Sequence, residues 1–189
     1  MIDKTILHSM NRLLLSFNKN SISNLKEWKG LPLTSKEDII DIEPPKNFKE
    51  IRATSGSTGE PLFIYFSEEA ISGFVNRAVK FIGNMNLNNK DSGLILFSYG
   101  NFIVGSMIER SCSKRGIPII PFGSTSTYNK ENMLKLILRL KPAVWFSTPT
   151  YALKLLRELN DNKYFPRKIV VGGEKLLDTY IKEFKKYKI

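Results

Sequence analysis

Hydroxyl side chains and glycines are concentrated between residues 54 and 61, where the chain reads Thr-Ser-Gly-Ser-Thr-Gly-Glu-Pro. Glycines let a backbone turn its N–H groups toward an anion, and Ser and Thr hydroxyls add donors without charge or bulk. The segment could therefore hold a phosphate group. The same residue types also dominate ordinary turns, for unrelated conformational reasons. Residue types alone leave both interpretations open.

Three further segments combine small, hydroxylated or aromatic residues directly after strand-like runs. They are Ser98–Phe102, Ser147–Tyr151 and Gly172–Glu174. In open α/β sheets ligands bind beyond the carboxyl ends of the strands, so these segments are expected at one edge of a sheet. Tyr99 and Phe102 could equally be core aromatics. Gly172 and Gly173 could be a tight turn, with Glu174 pairing with the start of a final helix.

The elements that must position these segments alternate along the chain after residue 48. Strand-like runs are predicted at 94–97, 117–121, 143–146 and 168–171, and helices at 102–114, 131–140, 149–160 and from 175 onward. This alternation predicts an α/β fold, a parallel sheet flanked by helices. Ser67 and the pair Thr148-Pro149 are predicted to begin helices.

The first 48 residues have a different pattern. Apolar residues from Ile2 to Phe17 recur at helical spacing, and a short helix is predicted around residues 36–42. The sequence therefore predicts a helical lead-in over residues 1–48 and one compact α/β unit over residues 49–189. His8 lies on the first predicted helix with no partner for acid–base chemistry, so a solvated or packing role is expected there.

The formal net charge of +11 raises the possibility of a nucleic-acid binder. The pattern does not favour it, because the lysines are scattered over the predicted helices and the aromatics lie at apolar-periodic positions. The one cysteine, Cys112, excludes an internal disulfide and is expected to be buried. The apolar runs are too short for a bilayer span, and no Cys/His cluster suggests a metal site. We expect a cytoplasmic protein that binds no membrane.

Several motifs in one order resemble the adenylate-forming superfamily, and most closely its phenylacetate–CoA ligase branch. Thr54–Pro61 resembles the phosphate-binding loop of these enzymes, and Leu31–Ile39 resembles their P-x-x-K-x-D segment. Ser98–Phe102, Arg115–Pro121, Ser147–Tyr151 and Gly172–Glu174 follow in the family's order. Many superfamily members carry lysine directly after the loop proline, whereas Leu62 stands here, as an uncharged residue does in the phenylacetate branch.

The resemblance implies a role for each motif. Thr54, Ser55, Gly56, Ser57, Thr58 and Gly59 would bind the ATP phosphates; Gly172, Gly173 and Glu174 would lie along the adenine; Tyr99, Gly100, Phe102 and Thr148 would line the pocket for the acid. No catalytic residue is identified. Implied cofactors are ATP, Mg²⁺ and coenzyme A, and the implied substrate is a small carboxylic acid.

The family continues beyond Gly172–Glu174 with a Tyr-Gly-x-Thr-Glu segment, a ribose-binding Asp and a small C-terminal domain carrying a lysine, none of which this sequence contains. We therefore expect the N-terminal portion of an AMP-forming acid ligase, inactive by itself, with an apolar face that leads to self-association or binding of a complementary chain. The alternative is a non-catalytic homologue that binds nucleotide or a partner chain.

Overall fold

The computed structural model describes residues 22–31, 44–54, 59–88, 90–124 and 130–189. The chain divides into two compact units, residues 1–65 and 66–189. This division falls within a strand rather than at residue 48, and the predicted lead-in of residues 1–48 stays a prediction. The helix predicted over residues 2–17, with His8, and the helix predicted around 36–42 lie outside the described residues.

The first unit contains a short helix and a small sheet. Helix α1 spans Leu25–Lys29, and the Asn24 side chain accepts hydrogen bonds from the first free N–H groups of the helix. Strands β1 (Glu50–Ala53) and β2 (Phe63–Phe66) pair in a two-stranded sheet. The ring of Phe48 packs edge-on against Tyr65 with centroids 5.2 Å apart.

The second unit is built on a four-stranded parallel sheet in the order β4-β3-β5-β6. Its strands are β3 (Gly93–Ile95), β4 (Ile119–Pro121), β5 (Val144–Ser147) and β6 (Lys168–Val171). Its helices are α2 (Glu68–Gly83), α3 (Ile103–Lys114), α4 (Lys130–Leu140), α5 (Pro149–Leu159) and α6 (Asp178–Lys186), with a 3₁₀ turn at Asn162–Tyr164. The predicted α/β class is thus confirmed.

Side-chain alternation along the central strands divides the core between the two faces of the sheet. Leu94 and Trp145 pack in one cluster with residues of α4 and α5, whereas Ile95 and Phe146 pack in another with Ile82 and Cys112. Successive residues of a strand point to opposite faces, so a strand covered on both sides reads as a continuous apolar run. This arrangement fixes which helices lie on which side of the sheet.

Two helix starts occur where the sequence placed them. The Ser67 hydroxyl accepts from the Ala70 N–H at 3.2 Å, and Thr148 caps α5 with Pro149 at its first position. The last helix begins at Asp178, three residues later than predicted. Cys112 is fully buried as expected, and burial raises the pKa of its thiol to about 11.

No helix in the described part of the chain combines the length and the apolar character required to cross a membrane. Among the same residues, no group of three or more His, Cys, Asp and Glu side chains is placed to hold a metal ion.

Candidate functional site

The chain reverses its direction across the sheet between β3 and β5. From β3, helix α3 leads outward to β4 on one side, and from β5, helix α5 leads outward to β6 on the other. The two helices lie on opposite faces, since Cys112 of α3 and Leu153 of α5 belong to different core clusters. Such a switch point opens a crevice at the carboxyl ends of its two strands, which is where α/β sheets bind ligands.

The segments that follow the carboxyl ends of β5 and β6, here called the exits of these strands, are linked by hydrogen bonds between Thr150 and Glu174. The Thr150 hydroxyl lies 2.7 and 2.9 Å from the two carboxylate oxygens of Glu174, and its backbone N–H lies 3.4 Å from one of them. The Thr148 hydroxyl caps the same helix through the Tyr151 N–H at 3.4 Å. Two motifs that are 24 residues apart in sequence thereby form one polar cluster.

Glu174 is held as a carboxylate by this cluster. Hydrogen bonding from Thr150 lowers the pKa of its side chain, because the bond favours the charged form. The position also bears on one role suggested by the sequence, pairing with the start of the final helix. Helix α6 begins only at Asp178, so Glu174 does not pair with the final helix but lies at the positive end of α5.

Gly172 and Gly173 form the turn that brings Glu174 to this place. Gly173 has φ +78°, a conformation that other residues adopt only at a cost. A Cβ atom added there would lie 3.6 Å from the Thr148 methyl group and 3.7 Å from the Phe97 ring. The glycine is therefore required by the backbone conformation more than by lack of space.

The exit of β3 is shaped by packing. Gly105 of α3 lies so close to the β3 exit that an added Cβ would come within 3.0 Å of the Ser98 carbonyl oxygen and 3.4 Å of the Tyr99 ring. A Cβ added at Gly123, which has φ +79°, would lie 3.5 Å from the same ring. The Tyr99 ring thus fits between two glycines. Its burial, with Glu109 nearby, raises the pKa of the hydroxyl, which stays neutral at physiological pH.

The other residues predicted for the acid pocket differ in exposure. Phe102 precedes α3 and is 46 % exposed, whereas Tyr99 and Thr148 are half-buried. Gly100, with φ +77°, forms the turn between Tyr99 and Phe102. An exposed aromatic beside a turn is available to contact a bound molecule, and a half-buried one can form the wall behind it.

A buried hydroxyl group lies at the carboxyl end of β5. Ser147 is fully buried, and its hydroxyl has no hydrogen-bond partner within the described residues. The Tyr99 hydroxyl, after the neighbouring strand, is also buried, but it interacts with the side chain of Glu109. A buried hydroxyl such as that of Ser147 is rare in folded proteins and marks a place where a bound molecule or water can donate or accept.

The predicted phosphate loop belongs to the first unit, and its residues Ser55 to Thr58 lie outside the described residues. The structure describes the residues at the base of the loop, on either side of it. The Thr54 N–H donates to the Leu62 carbonyl at 3.0 Å, and the Leu62 N–H donates to the Thr54 hydroxyl at 3.0 Å. Gly59 has φ +133°, which favours glycine strongly. Thr54 therefore closes the base of the loop through both its backbone N–H and its hydroxyl oxygen.

Sequence reasoning did not single out two residues of this edge. Thr150 was within a predicted motif, and its position as the second residue of a helix that begins with Thr148-Pro149 was the signal for a polar role. Phe97 was assigned only to a strand, yet its ring lies beneath the turn at Gly172 and Gly173. No local pattern indicates a contact between residues so distant in the chain.

The chain is similar to curated enzymes named phenylacetate–coenzyme A ligase. It is 27 % identical to the one from Escherichia coli K12 over 71 % of this chain and 32 % of the relative, and 24 % identical to the one from Pseudomonas putida over 74 % and 33 %. The chain thus matches about a third of the length of these relatives. No protein-family model matches it.

Solved structures show the same fold. A 2-hydroxyisobutyryl-CoA ligase in complex with 2-HIB-AMP and CoA matches 98 % of this chain and 46 % of its own, with a TM-score of 0.79 at 15 % identity. O-succinylbenzoate coenzyme A synthetase from Bacillus subtilis, in complex with AMP, matches 99 % and 51 % with a TM-score of 0.54 at 18 % identity. The chain is therefore similar in sequence to the N-terminal region of phenylacetate–CoA ligases, and it shares its fold with the N-terminal region of these adenylate-forming enzymes.

Proposed function

We propose that this chain supplies the nucleotide- and acid-binding part of an AMP-forming acid ligase. In that reaction a carboxylate oxygen attacks the α-phosphorus of ATP, the bond to pyrophosphate breaks, and an acyl-adenylate forms. A thiol such as that of coenzyme A then attacks the acyl carbon, and AMP leaves. The observation that carries the proposal is the gathering of three family-like motifs at the switch point between β3 and β5 and the adjacent exit of β6.

The proposed roles follow the chemistry of each segment. Backbone N–H groups and hydroxyls of Thr54, Ser55, Gly56, Ser57, Thr58 and Gly59 would hold the phosphates, and the Gly172–Glu174 turn would lie along the adenine. Tyr99, Gly100, Phe102 and Thr148 would surround the acid. Flat apolar rings beside a few polar groups suit an aryl acid. Mg²⁺ would be held chiefly by the ATP phosphates, because it keeps several waters and needs few protein ligands.

The ligase activity of the relatives supports this proposal by similarity. Catalysis of this kind rests on orienting the carboxylate and stabilising the charge on the phosphates. The protein groups that bind the substrates would therefore also accelerate the reaction. Leu62 stands where many superfamily enzymes have a lysine, so the phosphate contacts of this loop come from neutral donors.

A second candidate is a non-catalytic protein that binds a nucleotide or a partner chain. Under this proposal the same residues bind a nucleotide without chemistry.

A titration with MgATP, followed by calorimetry and NMR, tests the binding shared by both candidates. We expect an affinity no better than roughly millimolar, since each missing charge-assisted hydrogen bond removes about 1.5 to 3 kcal/mol. The double variant Ser57→Ala, Thr58→Ala should abolish binding. The matched control Ser113→Ala removes an exposed hydroxyl of α3 and should leave binding unchanged. Equal binding by both variants would overturn the assignment of the loop.

Pyrophosphate release over a panel of aryl and fatty acids tests whether the chain forms an acyl-adenylate by itself. We expect no appreciable turnover by the 189-residue chain alone, although it binds MgATP. Turnover that depends on Ser57 and Thr58 would establish the ligase and contradict the expectation that other segments are required. Binding without turnover, also after addition of coenzyme A, is expected of the chain alone under both candidates.

A further inference from the structure

The two ends of the Tyr99 side chain have different surroundings. Tyr99 is half-buried as a residue, whereas its hydroxyl oxygen is completely buried. The exposed part of the residue therefore consists of its other atoms, the ring carbons and the backbone. A molecule bound beside Tyr99 at the β3 exit would meet apolar ring carbons, because the hydroxyl is directed into the protein. Tyr99 thus offers a flat apolar surface there.

Helix α3 runs along the buried side of the Tyr99 ring. A Cβ atom added at Gly105 would lie 3.4 Å from Cε2, the ring carbon next to the one that carries the hydroxyl. Glu109 follows Gly105 by four residues on α3, and residues with this spacing lie on the same face of a helix. Helix side chains also lean toward the N-terminus. Glu109 is therefore placed beside the hydroxyl end of the ring that Gly105 admits.

The Glu109 carboxylate interacts with the buried hydroxyl. Burial, and then the charge and the hydrogen bonding of Glu109, raise the pKa of Tyr99. The hydroxyl is therefore neutral and can donate, whereas a carboxylate can only accept. No other hydrogen-bond partner is placed for this hydroxyl in the part of the chain that the structure describes. Removal of the carboxylate alone would leave a buried donor without an acceptor, which costs more than removal of both groups.

Glu109 also reaches the surface of α3. It lines a surface hollow of about 550 Å³ together with Ser106, Arg110, Ser113 and Lys114. Two of these neighbours are basic, and the hollow admits water. The Glu109 carboxylate can therefore be hydrated on one side while it accepts from Tyr99 on the other, so its charge is not buried at full cost. A charged acceptor also forms a stronger hydrogen bond than a neutral one.

We propose that Glu109 is a positioning residue that holds the Tyr99 hydroxyl against α3 and thereby fixes the Tyr99 ring as an apolar wall of the acid pocket. This inference rests on the proposed function, of which the acid pocket is a part. It adds a residue and a preference to that pocket. Glu109 acts through Tyr99 rather than on the acid, and the fixed ring selects acids by the length of the group that packs against it.

The test compares benzoate with the longer aryl acid cinnamate, each titrated by NMR in the presence of MgATP. We expect their dissociation constants for the wild-type chain to differ by at least about fivefold, because a fixed wall discriminates length. Glu109→Ala should bring the ratio of the two constants at least about threefold closer to one. Glu109→Gln keeps an acceptor and should retain most of the wild-type ratio. Adding Tyr99→Phe to Glu109→Ala removes the unpaired hydroxyl and should restore part of it.

A measurement without any acid tests the contact itself. The NMR signal of the Tyr99 Cζ carbon, assigned by its loss in Tyr99→Phe, should shift in Glu109→Ala. It should stay in place in Glu131→Ala, the same change at an exposed position of α4.

The outcomes separate this inference from the proposed function. A general loss of stability would weaken the binding of both acids equally and leave their ratio unchanged. An unchanged ratio in Glu109→Ala, or an unchanged Cζ signal, would therefore overturn the positioning role and leave the acid pocket in place. If neither acid binds to the wild-type chain, the acid pocket itself is wrong, and the role of Glu109 in it is wrong too.

Discussion

The exit of β3 and the exits of β5 and β6 hold their candidate site residues by different forces. At the β3 exit, Tyr99 is fixed by close packing between Gly105 and Gly123. At the other exits, Thr150 and Glu174 are fixed by hydrogen bonds that remain exposed to water. The first arrangement is rigid and depends on volume, whereas the second depends on charge and tolerates small changes in shape.

This difference suggests that the two parts of the candidate site have different roles. Packed interiors transmit strain, so the β3 exit can define the shape of a pocket. An exposed carboxylate with a hydroxyl partner contributes little stability but keeps its negative charge in one place. Substitutions at the β3 exit should therefore alter the free energy of unfolding. Substitutions at the other two exits should alter the local electrostatics, such as the pKa of Glu174.

Gly105→Ala is expected to have the largest effect. The new methyl group would lie 3.0 Å from the Ser98 carbonyl oxygen and 3.2 Å from the Phe97 carbonyl oxygen, so the backbone has to move. We expect a loss of about 1 to 3 kcal/mol in the free energy of unfolding, measured with urea. Gly73→Ala in α2 is the matched control, because its methyl group meets only the end of the Arg77 side chain. It should stabilise by about 0.5 to 1 kcal/mol. Equal effects would contradict packing at the β3 exit.

The labelling rate of Cys112 gives a second measure of the same packing. Its thiol is buried on α3 with a pKa of about 11, so reaction with a disulfide reagent at pH 8 requires opening of the structure. Gly105→Ala should accelerate labelling about tenfold for each 1.4 kcal/mol lost. Thr150→Val should leave the rate nearly unchanged. Acceleration by Thr150→Val of the same size would show that the two exits are not independent.

Thr148→Ala removes the cap of α5 and is expected to cost about 1 kcal/mol of stability. Ser67→Ala removes the cap of α2, which holds none of the predicted site residues, and should cost a similar amount. The two variants separate stability from function. Only Thr148→Ala should change the NMR shifts caused by an aryl acid added in the presence of MgATP, and identical shifts in both variants would remove Thr148 from the proposed acid pocket.

Thr150→Val is expected to have the smallest effect, a rise in the pKa of Glu174, measured by NMR titration of its carboxyl carbon. Hydrogen bonding from Thr150 lowers that pKa in the folded chain. The bond therefore stabilises the fold above the unfolded pKa and loses its effect as the pH falls through the folded pKa. The stability difference between wild type and Thr150→Val should shrink toward zero at low pH. A difference that grows on acidification would contradict the Thr150–Glu174 bond.

Much of the second unit could be read from the sequence because its signals are local. The strand at 168–171 was predicted with the bounds that the structure shows, and β5 differs by one residue at each end. The helix starts at Ser67 and Thr148 follow from hydroxyl caps, whose partners lie within three residues. The start of the final helix was predicted three residues too early, because Leu176 and Leu177 continue its apolar stripe although their backbone is not yet helical.

The sequence by itself determined the α/β alternation, the helix caps, the burial of Cys112 and the family-like motifs, because these depend on residue type and short-range spacing. Only the tertiary structure decided that β3 and β5 are neighbours, that Glu174 meets Thr150 rather than the final helix, and that Phe97 lies beneath Gly172 and Gly173. Such contacts join segments many residues apart, and strand order in the sheet, which no local pattern encodes, brings them together.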